Sequence, residues 1–430
     1  MSARSPSVLI HRLSAPFLVL TIVLPLVCWI IPENQTLWRS IAIITAWAGS
    51  GLLVASMLLM IREPHACHLL GGLENMYLWH HRSGMLAYAL LLCHPLALAA
   101  EGWIESPQLA WQALAPWAAS WPIWLGWAAM ILLMFGLTST FVVSLPYRRW
   151  RWMLMFLGLG VALGLAHVYA IANSVYPILL LIIFTALALG WRLIASDLGI
   201  AASPYLVTQV EHQASGTIEA RLVPSATALT VSPGQFVLSA FGEGPHFHGC
   251  GEYHPFTVSG IESDGSLRLS IKALGPCSQR MQELEAGVMV RLQGPFGTFL
   301  EERAASPQLW VAGGIGITPF IAALRAQPCT QPTTLLYLYR NSTEAAFLDE
   351  LIMLTKTDPL FELLTHASDK GLPNFPELPN FPELLDKVSQ IAAREVYICG
   401  PQPMVESLMP HLLQRNIPEH VIHNEKYDFR

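Results

Sequence analysis

Two histidines, His94 and His167, each lie deep inside a long apolar segment. These segments run roughly over residues 78–100 and 150–171. An imidazole is costly to bury in an apolar helix and therefore marks a functional site with a partner. Two such imidazoles on neighbouring helices can coordinate one haem iron from both sides, although each could instead hydrogen-bond to a polar neighbour. We predict that this pair holds a haem.

A second position lies 14 residues before each of these histidines. Fourteen residues advance a helix by about 21 Å and return to within roughly 40° of the same face. His80 therefore shares a face with His94, and Met153 shares one with His167. A methionine thioether can be an axial haem ligand, so His80 and Met153 could hold an inner haem. Otherwise Met153 simply packs, and the inner haem is absent or held by another group. The sequence predicts one haem b or two.

The elements that position these residues must be membrane helices. The chain has 430 residues, of which 53% are hydrophobic and only 13% are charged, and the apolar residues are concentrated before residue 200. A span needs about 20 apolar residues. Six runs reach that length, at 14–31, 41–61, 78–100, 123–145, 150–171 and 175–194. We predict a membrane-embedded bundle of six transmembrane helices over residues 1–200.

Basic residues give the orientation of this bundle. They fall at the N-terminus, between spans two and three, between spans four and five, and after span six. These residues are Arg4, Arg12, Arg62, Arg82, Arg148, Arg149, Arg151 and Arg192, and Arg39 is the one exception. The other connections carry Glu33, Glu101 and Glu105. By the positive-inside rule, both termini and the soluble half are expected to be cytoplasmic, in a multi-pass protein of the inner (plasma) membrane.

Charge and cysteine content exclude other classes of function. The net charge of −6 and the lack of a basic block argue against a nucleic-acid partner. The seven cysteines include no CxxC pair, so their spacing indicates neither a zinc site nor a disulfide framework.

Residues 201–303 have the pattern of a small antiparallel β-barrel. Short alternating segments are separated by Gly, Pro and Ser, at Tyr205–Glu211, Thr217–Leu222, Gln235–Ala240, Phe256–Val258, Leu267–Ala273 and Val288–Gln293. The segment His254-Pro255-Phe256-Thr257 would place a hydroxyl and a ring beside a ligand at the end of one strand. A short helix that begins near Ser278 and carries Arg280 is suited to a diphosphate.

Residues 304–430 alternate strands with helices, which predicts an α/β domain with a parallel sheet. The strand Leu309–Ala312 runs into Gly313-Gly314-Ile315-Gly316-Ile317-Thr318-Pro319 and then a helix. Glycines let the backbone approach a pyrophosphate. The next strand ends at Arg340, which can accommodate the 2′-phosphate of NADPH or could pair with Glu344. We expect NADPH rather than NADH.

The last predicted strand, Glu395–Ile398, leads into Cys399-Gly400-Pro401. The thiol of Cys399 could lie near a nicotinamide, or it could be a small buried core residue. Spacing alone does not distinguish the two.

Together these motifs resemble the ferric reductase and NADPH oxidase superfamily over nearly the whole chain. The soluble part resembles the ferredoxin–NADP reductase group. Four segments carry the resemblance, in this order behind the apolar spans: His254–Thr257, Gly294-Pro295-Phe296-Gly297, Gly313–Pro319 and Cys399–Pro401.

The resemblance implies a role for each motif. The family binds two stacked haems through paired histidines on its third and fifth spans, which His80, His94 and His167 match and Met153 does not. FAD would contact His254, Pro255, Phe256 and Thr257, with Ser278 and Arg280 near its diphosphate. NAD(P)H would lie against Gly313, Gly314, Gly316, Thr318, Arg340, Cys399, Gly400 and Pro401. An aromatic residue near the C-terminus, Tyr427 or Phe429, would cover the flavin.

The predicted function is that of a membrane oxidoreductase that passes electrons from cytoplasmic NAD(P)H through FAD and haem to an outer acceptor. A small-molecule acceptor, and ferric chelates in particular, is expected. The alternatives are a superoxide-producing NADPH oxidase and an electron-supplying subunit for a quinone or a redox partner protein. A non-enzymatic alternative is a haem-binding membrane sensor.

Overall fold

The first half of the chain is helical. The computed structural model describes residues 6–29, 33–115, 117, 120–141, 147–171, 175–300, 305–368 and 380–425, without the side chains of 6–14, 139–141 and 147–154. Its helices before residue 200 are α1 (Pro6–Trp29), α2 (Leu37–Leu58), α3 (Pro64–Leu69), α4 (Leu73–Glu105), α5 (Pro107–Leu114), α6 (Trp121–Phe141), α7 (Tyr147–Ile171) and α8 (Val175–Gly190). A π-helical turn, Trp191–Asp197, continues α8 towards the soluble half.

Within the described residues, four helical segments are long and apolar enough to cross a membrane: Leu37–Leu58, Leu73–Glu105, Trp121–Thr138 and Val175–Asp197. They correspond to the second, third, fourth and sixth predicted runs. The first and fifth runs form shorter apolar segments, Ala15–Trp29 and Met155–Ile171. Four predicted spans are therefore confirmed as helices of membrane length, and the six-span bundle stays a prediction.

Helix α4, which carries His80 and His94, is longer than the apolar run predicted over 78–100. Its 33 residues extend about 50 Å, against a hydrocarbon thickness of about 30 Å. The apolar pattern ends before Glu101, but the helix continues because that carboxylate has partners at the start of α2, in its N-cap and its first turn. It accepts a hydrogen bond from Thr36 Oγ1 at 2.7 Å and pairs with Arg39 at 3.5 Å.

The first soluble unit is a closed six-stranded barrel, as predicted. Its strands are β1 (Ser203–Ala214), β2 (Thr217–Pro224), β3 (Phe236–Phe241), β4 (His254–Ile261), β5 (Leu267–Lys272) and β6 (Met289–Phe296), in the order β1-β2-β5-β4-β3-β6. All of their pairings are antiparallel. A short helix, α9 (Pro276–Arg280), follows β5 and begins two residues before the predicted position.

The barrel docks against the end of the helical bundle at which α4 begins. Phe236 and Phe296 of the barrel belong to the same buried apolar cluster as Cys67 and Leu73 of the bundle. Gln293 Nε2 donates a hydrogen bond to the carbonyl of Ser196 at 2.6 Å. The barrel therefore lies on the side of His80, and His94 lies about 21 Å further along α4.

The second soluble unit is a five-stranded parallel sheet, also as predicted. Its strands are β7 (Gln308–Gly313), β8 (Thr333–Tyr339), β9 (Phe361–Ala367), β10 (Glu395–Cys399) and β11 (Ile422–Glu425), in the order β11-β10-β7-β8-β9. Its helices are α10 (Thr318–Ala326), α11 (Leu348–Thr357), α12 (Phe381–Asp386) and α13 (Gln402–Gln414). Two apolar clusters, centred on Trp310 and Leu309, cover the two faces.

An ion-pair network around the buried Glu219 joins the barrel to the sheet domain. Arg325 of α10 donates hydrogen bonds to Glu219 of β2 at 2.7 Å, to Glu350 of α11 at 2.7 Å and to the carbonyl of Ser259 at 3.0 Å. Burial opposes the charge on Arg325, but the hydrogen bonds that it donates to Glu350 and Glu219 outweigh this effect and raise its pKa. Since Glu219 is only 2% exposed, its charge needs cationic partners, and Arg325 is nearer to it than Arg268, which lies at 3.5 Å.

Candidate functional site

The three candidate haem histidines share one hydrogen-bonding arrangement. In each ring, Nδ1 lies within hydrogen-bond distance of a backbone carbonyl: Ser56 for His80 (2.9 Å), Ala42 for His94 (2.9 Å) and Pro122 for His167 (2.7 Å). A carbonyl can only accept, so Nδ1 must carry the proton. This fixes the neutral tautomer in which Nε2 has the free lone pair that a metal needs.

Helix α2 provides both carbonyls that orient the histidines of α4. Ser56 and Ala42 are 14 residues apart, the same separation as His80 and His94, and α2 runs antiparallel to α4. The hydroxyl of Ser56 also lies 2.8 Å from Nδ1 of His80. Both candidate haem histidines of α4 are therefore oriented by one neighbouring helix.

His94 and His167 approach each other between their helices. They are near enough to interact electrostatically. The ring of His167 lies against Gly126 of α6, where a Cβ atom would stand 2.8 Å from Cε1 and 2.9 Å from Nδ1. A glycine at this position therefore makes room for the imidazole.

The donor set of the outer pair fits a haem iron. Two neutral imidazoles with free Nε2 atoms and fixed Nδ1–H bonds are the pattern expected of axial ligands. For the inner pair, His80 has the same arrangement, while the side chain of Met153 lies outside the described part of the structure. The ligand that would face His80 stays a prediction.

The predicted flavin segment opens strand β4. His254, Pro255 and Phe256 are half-buried, and Thr257 is buried at the register position opposite Phe236. The Phe256 ring packs edge-on against Phe241, with centroids 6.2 Å apart. Burial lowers the pKa of His254, so its imidazole is neutral near pH 7.

The predicted diphosphate residues lie just beyond β5. Arg280 is exposed at the end of α9, where it is accessible to an anion, and its guanidinium contacts Cys277 Sγ at 3.4 Å. The hydroxyl of Ser278 accepts hydrogen bonds from the amides of Leu274 and Gly275 at 3.0 and 2.9 Å. Ser278 therefore stabilises its own turn, and Arg280 is the more accessible of the two for a phosphate.

The glycine loop and the segment Cys399–Pro401 come together at the carboxyl ends of β7 and β10. These strands pair in parallel, with Cys399 opposite Ala312. A Cβ on Gly316 would collide with the carbonyl of Cys399, and one on Gly313 would stand 2.9 Å from Pro401. Glycine is thus required for the two backbones to touch. The predicted helix follows as α10, which begins at Thr318, inside the segment Gly313–Pro319.

Arg340 lies beside a carboxylate, and pairing with Glu344 was the predicted alternative to binding the 2′-phosphate of NADPH. Its Nη1 is 3.9 Å from Glu344, and the side chain is 48% exposed. Glu344 makes a closer contact with Lys272 of β5, at 3.1 Å. Lys272 was missed in the sequence because it lies on the barrel, yet its Nζ is 3.8 Å from where a Cβ on Gly314 would be. Two cations therefore stand near the nucleotide loop, with Glu344 between them.

Cys399 is fully buried in the core of the sheet domain. Its Sγ is 3.9 Å from the carboxylate of Glu425, a buried residue of β11 that the sequence analysis did not single out. The register of β10 and β11 brings these two residues side by side. Tyr427 and Phe429, the two candidates for a flavin cover, lie outside the described residues.

Comparisons with known proteins bear on both halves of the chain. Residues 45–165 match the family described as "Ferric reductase like transmembrane component". Residues 310–409 match the family described as "Oxidoreductase NAD-binding domain". The first range contains His80 and His94, and the second contains the glycine loop and Cys399.

Individual relatives resemble part of the chain. The reductase component of propane 2-monooxygenase from Rhodococcus jostii (strain RHA1) is 27% identical over 237 residues, which are 51% of this chain and 62% of that protein. A flavohemoprotein from Rhizobium meliloti (strain 1021) is 28% identical over 191 residues, 40% of this chain and 47% of that one. The chain thus spans about three fifths or less of the length of these two relatives.

Among solved structures, the flavohem-like FAD/NAD binding domain of nitric oxide dioxygenase from Vibrio cholerae O1 biovar El Tor matches 52% of this chain and 97% of its own, with a TM-score of 0.45 and 20% identity. The assignment rests on the two family matches and on the motifs that they contain. The chain joins a ferric reductase-like transmembrane region to an oxidoreductase NAD-binding region, and the resemblance inferred from its motifs is confirmed.

Proposed function

We propose that this protein is a membrane flavocytochrome that moves electrons from NAD(P)H on the cytoplasmic side to an acceptor on the outer side. The observation that carries the proposal is the arrangement of His94 and His167, whose Nδ1 protons are held by backbone carbonyls while both Nε2 atoms are left for a metal. When bound, FAD would convert a hydride into single electrons, and haem would carry these through the apolar core.

The chain's own residues would bind and orient these groups. Arg280 would bind the flavin diphosphate, and Phe256 and Thr257 would lie along its ring. The loop Gly313–Gly316 would hold the pyrophosphate of the nicotinamide nucleotide, with Lys272 and Arg340 as the nearby cations. Because the barrel lies at the His80 end of α4, electrons would enter the bundle there and leave near His94.

Aromatic residues at the far end of the bundle support its placement in a membrane. Trp103, Trp111, Trp117 and Trp121 are each at least 60% exposed and cluster at the end away from the barrel. Tryptophan is enriched at membrane interfaces, where its ring is apolar and its N–H can contact water.

We propose ferric chelates as the acceptor. Acidic residues dominate the connections at the far end of the bundle, where Glu33 and Glu105 are exposed and Glu101 pairs with Arg39. Such a surface favours a neutral or cationic iron complex over a highly anionic one.

A quinone is the second candidate, and a different observation favours it. An apolar cavity of about 300 Å³ lies between the end of α4 and α5, with Trp103 and Trp111 in its walls. The uncharged, planar head group of a quinone suits such a lining. The names of relatives such as the propane 2-monooxygenase reductase component also keep open a partner protein as acceptor.

Anaerobic reduction of the purified protein with NADPH tests the proposal. A conduit should show flavin bleaching followed by the Soret shift of reduced haem, whereas a haem-binding sensor should show no Soret shift. A neutral ferric chelate, oxygen and a short-chain quinone, added in turn to the reduced protein, are then ranked by the rate of haem reoxidation.

The axial assignment has its own test. We expect His167→Ala to abolish binding of the outer haem, while His65→Ala, a change of a 93% exposed histidine of α3, leaves haem content unaltered. Haem per protein is measured as the pyridine haemochrome. Equal haem in the two variants would refute the assignment of His167, and a wild-type protein that reduces FAD but binds no haem would refute the haem conduit.

A further inference from the structure

Three soft or borderline metal ligands from separate segments converge at the edge of the barrel. Cys250 lies in the loop before β4, His254 is the first residue of β4, and Cys277 lies in α9 after β5. Their ligand atoms all lie within 4.8 Å of one another. We propose that Cys250, His254 and Cys277 form a binding site for a thiophilic divalent cation, with Zn²⁺ as the ion that fits best.

The distances suit zinc without a large rearrangement. With bonds of about 2.3 Å to sulfur and about 2.0 Å to nitrogen, neighbouring ligands of a tetrahedral zinc stand about 3.5–3.8 Å apart. Cys250 Sγ and His254 Nε2 are 3.3 Å apart, so small side-chain rotations would admit the ion between them. Three protein ligands leave a fourth position for water, which is the pattern of an open zinc site.

The neighbouring charges are balanced around the cluster. Glu252 acts electrostatically on both Cys250 and His254, and Arg280 contacts Cys277 Sγ at 3.4 Å. Two thiolates would neutralise Zn²⁺, and the Arg280 guanidinium lies against one of the two sulfur atoms. The sequence has no CxxC spacing that would predict this site. Its ligands come from a loop, a strand and a helix, which only the closed barrel brings together.

The loop before β4 contains two more histidines, which provide controls. His246 and His248 are 90% and 83% exposed, and their Nδ1 atoms pair with Glu285 and Glu243, each at 3.2 Å. Neither belongs to the cluster, although both lie within four residues of Cys250. His248→Ala therefore removes a potential zinc ligand from the same loop without touching the proposed site.

Zinc at this site would affect the flavin. The proposed function places Phe256 and Thr257 along the flavin ring, and His254 opens the same segment, so a zinc ion would hold its imidazole in the cluster. We therefore expect zinc to slow the reduction of FAD by NADPH. This consequence rests on the proposed function, whereas the metal site itself does not.

Zinc binding to the full-length protein, purified with its cofactors and kept reduced, tests the site. Equilibrium dialysis gives affinity, and zinc-edge X-ray absorption gives the ligand atoms. We expect one zinc per chain, bound by two sulfur atoms and one imidazole nitrogen. Cys250→Ala should weaken binding by at least about 100-fold, since the loss of even a second-shell partner costs about 10–100-fold. His248→Ala should bind zinc like the wild type.

A second variant and a second measurement separate the possible failures. Cys277→Ser should weaken zinc binding as Cys250→Ala does, which guards against misfolding of a single variant. Unchanged zinc affinity in both variants, or a metal shell without sulfur, would overturn the site. Zinc bound by both sulfurs with no slowing of FAD reduction would overturn the inhibitory consequence. A protein without FAD would refute the proposed function, while zinc binding would still decide the site.

Discussion

A single methyl group on Gly126 should disturb the candidate haem site. The Cβ of an alanine at this position would stand 2.8 Å from Cε1 of His167 and 3.1 Å from its Nε2. Non-bonded carbon atoms need about 3.5 Å, so the ring would have to move by about 0.7 Å. Ligand positions in a working site tolerate only about 0.5 Å.

The expected size of the effect follows from the cost of overpacking. Forcing an extra methyl group into a packed site costs about 1–3 kcal/mol. At about 1.4 kcal/mol per tenfold change, the apparent affinity for haem should fall by about 5- to 150-fold in Gly126→Ala. The protein should still fold, because the three heavy atoms nearest to the added methyl group all belong to one side chain, that of His167.

Titration of the haem-free protein with haemin, followed at the Soret band, measures this affinity. Gly158→Ala on α7 is the matched control, because a Cβ there would have no heavy atom within 4 Å. We expect the control to bind haem like the wild type. Wild-type affinity and an unchanged Soret band in Gly126→Ala would show that the His167 ring does not carry a haem in this position.

Three further predictions concern the soluble half. Lys272→Met should raise the KM for NADPH about tenfold, or about 1.4 kcal/mol, because it removes a cation beside the glycine loop. An unchanged KM in steady-state kinetics would contradict a role of Lys272 in nucleotide binding. Arg325→Met should lower the free energy of unfolding by about 3 kcal/mol, because it leaves Glu219 buried without its main cation. Arg39→Met breaks a half-exposed pair and should cost less than about 1 kcal/mol. Equal losses in urea titrations would refute this reasoning. Burial lowers the pKa of His254, so the unfolded chain binds more protons at this residue than the folded chain does. Its contribution to stability is therefore present above the usual pKa near 6.5 and is lost as the pH falls below that value. The thermal midpoint of His254→Gln should fall less between pH 7.5 and 5.5 than that of the wild type, and parallel curves would refute this reasoning.

The sequence predicted those features that depend on local pattern. Alternation between Tyr205 and Gln293 predicted the barrel, and the strand that leads into Gly313 predicted the parallel sheet with its loop and helix. The apolar surroundings of His94 and His167 were sufficient to single them out. In each case a short stretch of chain contains the whole signal.

Features that depend on contacts between distant segments could not be predicted. Glu219 and Arg325 are 106 residues apart, and neither is unusual for a strand or a helix. Gly126 is one of several glycines in apolar runs, and only the position of α7 shows that it faces an imidazole. The length of α4 was underestimated for a similar reason, since Arg39 compensates Glu101 from another helix.

The matched spacing of Ala42 and Ser56 makes α2 intolerant of insertions. One added residue between them would rotate one carbonyl by about 100° and shift it by about 1.5 Å relative to the other. One of the two imidazoles on α4 would then lose its acceptor and be free to flip to the other tautomer, even though every histidine were still present. A helix that supplies no ligand would thereby determine the spacing and tautomer that the ligands of the neighbouring helix need.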